Sequence, residues 1–137
     1  MFIFSVFKNS TLDHFSRYSK EGFEIHGQQE GTVMGIRFSL DGQSFSTING
    51  GPVFQFNEAI SLQVYCDTQE EIDYYWDKLT EKGVGVQCGW LKDQFDVSWQ
   101  VVPTVLEKLL NDPSRANRVT KGFLQMKKFD IEKLKSA

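Results

Sequence analysis

The chain is poor in the residues that mark specialised protein classes. Its 137 residues include two cysteines, two histidines and three prolines. Cys66 and Cys88 are too few for a disulfide framework, and no C-x-x-C pair offers a zinc or redox motif. Both lie in apolar segments, so they read as buried, inert thiols. No apolar run is long enough to span a bilayer. The opening Met1 to Lys8 is apolar but lacks the basic flank and the length of a signal peptide. A net charge of −3 gives no electrostatic case for nucleic acid. The expectation is a cytoplasmic protein with no membrane and no nucleic-acid partner. His14 and His26 are isolated from any carboxylate pair and read as structural or solvated. A cavity-facing His14 acting as general base is the alternative.

What is present suits one soluble globular domain with a real core. Twelve phenylalanines are many for this length. They serve cores, dimer interfaces and apolar pockets alike. From Thr104 onward bases outnumber acids, which reads as a solvated helical face.

The pattern predicts strands at Leu12 to Tyr18, Thr32 to Leu40, Gln43 to Ile48 and Ile60 to Cys66. Asp41-Gly42 is a hairpin signal between the second and third. A polar loop with Gly22, Gly27 and Gly31 follows the first, and Asn49-Gly50-Gly51-Pro52 breaks the third. Thr68-Gln69-Glu70-Glu71 is a capping box, opening a helix whose stripe is Ile72, Tyr75, Trp76 and Leu79. Gly83 is placed to end it in a left-handed conformation. Two further strands are expected, about Val84 to Leu91 and Val97 to Val102. The tail reads as helical: Val105 to Leu110, then a helix capped by Asp112 with Pro113 at its first position, then a last turn capped by Asp130. The turns at Asp41-Gly42 and Phe95-Asp96 precede alternating strands by the same spacing, which suggests an internal repeat.

The densest signal is Gly89 to Pro103. A charged turn, Lys92 to Asp96, separates two apolar segments. In the second, Val97, Trp99 and Val101 alternate with Ser98, Gln100 and Val102, giving one face to a core and one to water or a cavity.

This stretch, with Ser5 to Ser10, Leu40 to Gln43, Asn49 to Pro52, Phe56 to Leu62 and Leu124 to Lys128, resembles the PhnB-like branch of the glyoxalase/bleomycin-resistance (vicinal oxygen chelate) superfamily, some members of which carry the label 3-demethylubiquinone-9 3-methyltransferase. The resemblance implies an α+β fold. Paired βαβββ modules form a curled, half-open mixed sheet around a cavity, usually within a homodimer. The chain would be one domain over 1–137, with a first module at 1–58, a second at 59–103 and a helical extension at 104–137. Members normally open with a strand and a full helix before Ser5-Val6-Phe7. Only the end of that helix is expected here, so the first module would be truncated. Asp96 stands where the family has a turn glycine, and Asp tolerates that left-handed position better than most residues.

Metal enzymes of the superfamily carry His or carboxylate ligands on the first and last strands of each module. The corresponding positions here fall near Ser46, at Ser61 and at Gln100. Two hydroxyls and an amide are poor ligands for a transition metal, so no metal is expected. No strand-loop-helix unit suited to S-adenosylmethionine is apparent, so no cofactor is expected either. Ser61, Gln63 and Tyr65 share one strand face, and Ser98 and Gln100 another. With Arg37 and Ser46 they are the candidate cavity lining. They either bond to one another or bind something. Arg37 could anchor an anion, or be an ordinary surface arginine. The leading expectation is a dimeric small-molecule-binding protein with a metal-free cavity. Alternatives are a metal-dependent lyase, isomerase or dioxygenase, a dimeric scaffold whose cup is filled by side chains, and the methyltransferase of the family label.

Overall fold

The structure, a computed structural model, describes residues 2–137, and Met1 lies outside it. The chain divides into two compact units, one ending at Gln55 and one beginning at Phe56. No described helix is long and apolar enough to cross a membrane.

The first unit runs α1 (Phe2–Val6), β1 (Ser10–Arg17), α2 (Phe23–His26), β2 (Val33–Leu40) and β3 (Gln43–Ile48). Its three strands form an antiparallel meander in the order β1-β2-β3. Asp41 and Gly42 make the two-residue turn with φ of 47° and 84°. Positive φ at both central positions matches the right-handed strand twist. Phe38 and Leu40 turn inward from β2 and are buried. Phe4 packs edge-on against Phe38 at 5.9 Å, and Phe45 stacks on it at 5.5 Å. The glycine-punctuated loop after β1 contains one helical turn, α2. It is bounded by Gly22 and Gly27, both left-handed. His26 is structural there: its ring lies 4.4 Å from that of Tyr18, and its Nδ1 accepts from the Gln28 N–H at 3.0 Å.

The second unit runs β4 (Leu62–Cys66), α3 (Gln69–Thr80), β5 (Val84–Gly85), β6 (Trp90–Lys92), β7 (Ser98–Pro103), α4 (Val105–Leu110), α5 (Ala116–Phe123) and α6 (Ile131–Ser136). The strand order is β4-β7-β6-β5, with β4 parallel to β7 and the rest antiparallel. The β5-β6-β7 meander repeats the β1-β2-β3 arrangement, and β4 is the strand without a counterpart in the first sheet. The architecture is α+β, as expected. The capping box forms as read: the Thr68 hydroxyl accepts from the Glu71 N–H, and the Glu71 carboxylate reaches back to the Thr68 N–H. Ile72 and Leu79 from α3 are buried with Leu91, Val64, Trp99 and Val101.

Three local expectations are corrected. The segment 84–91 is two strands, because Cys88 and Gly89 take φ of 58° and 77° and turn the chain back between them. Val86 N–H donates to the Trp90 carbonyl across that turn at 2.7 Å. Gly89 is needed twice over, since a Cβ there would also meet the Phe129 ring and the Val101 carbonyl. Gly83 does not end α3 in a left-handed conformation; Glu81 caps the helix in right-handed geometry. Gly83 is required by close approach instead, because a Cβ would run into the Lys92 carbonyl. Pro113 is not the first residue of a helix either. The Asp112 carboxylate closes a turn with the Ser114 N–H and hydroxyl, and α5 begins three residues after Pro113.

The tail packs into the second unit. Leu109, Val119, Phe129, Ile131 and Leu134 are buried. Gln69 on α3 ties it down, donating to the Phe129 carbonyl and accepting from the Ile131 N–H. Lys128 bridges to Asp73 at 2.8 Å. The ammonium, helped by Gln69, holds the Asp73 carboxyl below its ordinary range. Asp130 caps α6 by accepting from the Lys133 N–H, as read.

Candidate functional site

The alternation of β4 and β7 sorts their side chains as the sequence implies. Val64, Cys66, Trp99 and Val101 are buried. The other set is brought together by strand register, with Gln63 opposite Gln100 on β7, and Gln100 opposite Trp90 on β6. Four of the candidate residues form one chain of hydrogen bonds. Tyr65 Oη donates to Gln63 Oε1 at 2.6 Å, and Gln63 Nε2 points to Gln100 Oε1 at 3.4 Å. Gln100 Nε2 donates to Ser61 Oγ at 2.7 Å. The run of donors fixes the Gln100 amide, and the Ser61 hydroxyl keeps its own proton to give.

Ser98 behaves differently. The residue is 2% exposed, and its buried Oγ has no hydrogen-bond partner. A buried hydroxyl without a partner costs about 1–3 kcal/mol. Such groups are scarce in folded proteins, and each calls for a physical reason. Ser98 lines a pocket of about 310 Å³ with Glu58, Val86, Trp90, Leu91 and Lys92. That volume lies at the small end of ligand sites. Lys92 is the direct cross-strand neighbour of Ser98. Its ammonium is ion-paired with Glu58, on the loop that leads into β4. The pairing lowers the Glu58 carboxyl and raises the Lys92 ammonium relative to their ordinary values. A second groove, of about 440 Å³, lies between the end of the sheet and α4, lined by Tyr65, Val102, Leu106 and Leu110 among others.

Arg37 and Ser46 lie in the first unit, directly opposite one another on β2 and β3. Arg37 is exposed, and its other cross-strand neighbour is His14. His14 is itself exposed, on a strand that bulges between Leu12 and His14.

The positions near Ser46, at Ser61 and at Gln100 offer a metal ion little. Ser46 and Ser61 offer hydroxyls, and the Gln100 amide nitrogen is committed to Ser61. No group of three His, Cys, Asp or Glu is gathered among the described residues. The donor set does not fit a divalent transition metal. No helix follows Asn49-Gly50-Gly51, and the chain has no regular structure between β3 and β4.

The residue that sequence reading passed over is Asp93. It is 5% exposed and holds the β6–β7 turn together. Its Oδ1 accepts from the N–H groups of Phe95 and Val97, and its Oδ2 from the Trp99 indole at 2.9 Å. Asp96 completes the turn at φ 63°, the left-handed conformation expected at that position. The signal was an Asp at the head of a four-residue turn, where its side chain can bond backbone two residues on.

Cys66 is 1% exposed. Burial, with Glu71 and Asp67 nearby, pushes its thiol up to about 12. The folded chain therefore keeps a proton that the unfolded chain releases above about pH 8.5. Stability from this group is complete below that pH and is lost as pH rises toward 12. Urea unfolding at pH 8 and pH 10.5 should show a fall in wild-type stability approaching about 1.4 kcal/mol per pH unit from this one group. Cys66→Ala should show a shallower fall, and equal slopes would contradict the assignment.

The comparisons follow the same lines. A family model for 3-demethylubiquinone-9 3-methyltransferase matches residues 1–102. Among solved structures, the Bacillus cereus PhnB protein, which carries the same methyltransferase description, is 36% identical with a TM-score of 0.64, over 75% of this chain and 86% of that one. Protein PA1353 from Pseudomonas aeruginosa is 16% identical with a TM-score of 0.51, over 69% of this chain and 79% of that one, a likeness of fold alone. No curated protein matches. The extent of the family match and the identity to the Bacillus cereus protein establish that this chain belongs to the PhnB-like, 3-demethylubiquinone-9 3-methyltransferase family.

Proposed function

We propose that the protein binds a small molecule without a metal ion, over the polar face of the second-unit sheet, and works as a homodimer. One observation carries the reading: the buried, unpartnered Ser98 hydroxyl beside a pocket of about 310 Å³. The neighbouring chain of Ser61, Gln100, Gln63 and Tyr65 would fix the orientation of polar groups around a ligand. Dimerisation is supported by the exposure of Phe54 at 93%, Ile60 at 80% and Phe56 at 66%, a large apolar surface for a monomer to leave in water. The chemistry of the candidate residues supports neither the metal-dependent alternative nor methyl transfer.

A fragment screen by ¹H–¹⁵N NMR, with and without EDTA, tests this. Bound fragments should shift the Trp90, Lys92 and Ser98 amides equally in both conditions. Binding that disappears with EDTA and returns with zinc or manganese would favour the metal-dependent enzyme instead.

A further inference from the structure

The Ser98 pocket offers a ligand two polar contacts of different kinds. One is a hydroxyl able to donate, on a buried residue, and lacking any partner. The other is the Lys92 ammonium, its direct neighbour across the β6–β7 pairing. Besides Glu58, the rest of the lining comes from Val86, Leu91 and Trp90. A neutral ligand would use the hydroxyl and leave Lys92 to Glu58. A ligand carrying a carboxylate on an apolar body would satisfy the hydroxyl, the ammonium and the walls together.

Glu58 already supplies a carboxylate to that ammonium. It comes from the irregular loop before β4 rather than from the sheet, and it lines the same pocket. Its side chain is 61% exposed while that of Lys92 is 26% exposed, so the carboxylate reaches in from the solvent side. An exposed pair of this kind contributes little and is weak enough for a better-placed carboxylate to replace.

Resting on the ligand-binding reading above, we infer that the natural ligand is a small monocarboxylate with an apolar or aromatic body, and that Glu58 is its built-in competitor, occupying Lys92 until the ligand's carboxylate displaces it. The Ser98 hydroxyl then donates to the incoming carboxylate and gains the partner it lacks.

The test uses benzoate and its neutral isostere benzamide as probes, titrated into the full-length protein and followed by the Trp90, Lys92 and Ser98 amide shifts. Glu58→Gln removes the competitor and should tighten benzoate about 2–5-fold more than benzamide, the release of an exposed ion pair. Lys92→Gln should weaken benzoate more than benzamide. Ser98→Ala should weaken both. Retained amide dispersion in each variant's spectrum reports that it is folded. Benzamide binding with benzoate affinity unaltered by Glu58→Gln and Lys92→Gln would overturn the carboxylate inference while leaving the pocket a ligand site. If neither probe shifts these amides at tens of millimolar, the ligand-binding reading of the pocket fails as well.

Discussion

Removing residues after Pro103 is expected to leave an insoluble or aggregating protein. The tail supplies Leu109, Val119, Phe129, Ile131 and Leu134 to the second-unit core, with Val119 and Leu134 fully buried. Each large side chain contributes roughly 1.5–3 kcal/mol on burial, before ordering entropy is subtracted. Together the five are comparable to the whole stability of a typical domain, about 5–15 kcal/mol. Truncation also strips Gln69 of the Phe129 carbonyl and the Ile131 N–H, and leaves the Cys88 and Gly89 N–H groups without the Met126 and Lys127 carbonyls. The turn that creates β5 and β6 thus depends on the tail for two of its bonds. Soluble expression and thermal unfolding of the truncated chain check this. A truncated protein as soluble and as heat-stable as the full chain would show the tail to be an accessory.

Asp93→Ala should be the most damaging single substitution in the β6–β7 turn, costing about 3–5 kcal/mol. It leaves the Trp99 indole N–H and two backbone N–H groups without their acceptor. Asp93→Asn separates the contributions. An amide oxygen can still accept from Phe95 and Val97, but its nitrogen would then face the indole N–H, donor against donor. That variant should lose about 1.5–3 kcal/mol, between wild type and alanine. Urea unfolding followed by tryptophan fluorescence reads the order. A loss under about 1 kcal/mol for alanine would mean that the turn is held by backbone pairing alone.

Most elements were legible because several levels of the sequence agree. Asp41-Gly42 carries the turn chemistry and lies between alternating strands. Thr68 and Glu71 cap a helix whose buried residues, Ile72 and Leu79, are a heptad apart. The two-faced character of β4 and β7 followed from strict alternation, and register then brought Gln63 and Gln100 together. What escaped notice depends on tertiary contact. Cys88 at φ 58° has no local signature, and the apolar run around it reads as one strand. Its turn is stabilised by bonds to residues 126 and 127, remote in sequence. Gly83 looked like a helix terminator, and only the approach of the Lys92 carbonyl explains it. The site was half legible. The polar set on β4 and β7 was identifiable, but whether its members bond to one another or await a ligand depends on single distances. Four are satisfied among themselves, and Ser98 is not. Glu58 and Lys92, thirty-four positions apart, gave no sign of pairing.

A crystal structure of the protein soaked with a small aromatic carboxylate examines the Ser98 pocket most directly. The predicted result is ligand density against Trp90, with a carboxylate oxygen within hydrogen-bond distance of Ser98 Oγ and Lys92 Nζ, and Glu58 turned away. A pocket filled by side chains of this chain or of a second copy, with Ser98 bonded to one of them, would contradict it and leave a scaffold in place of a binding protein.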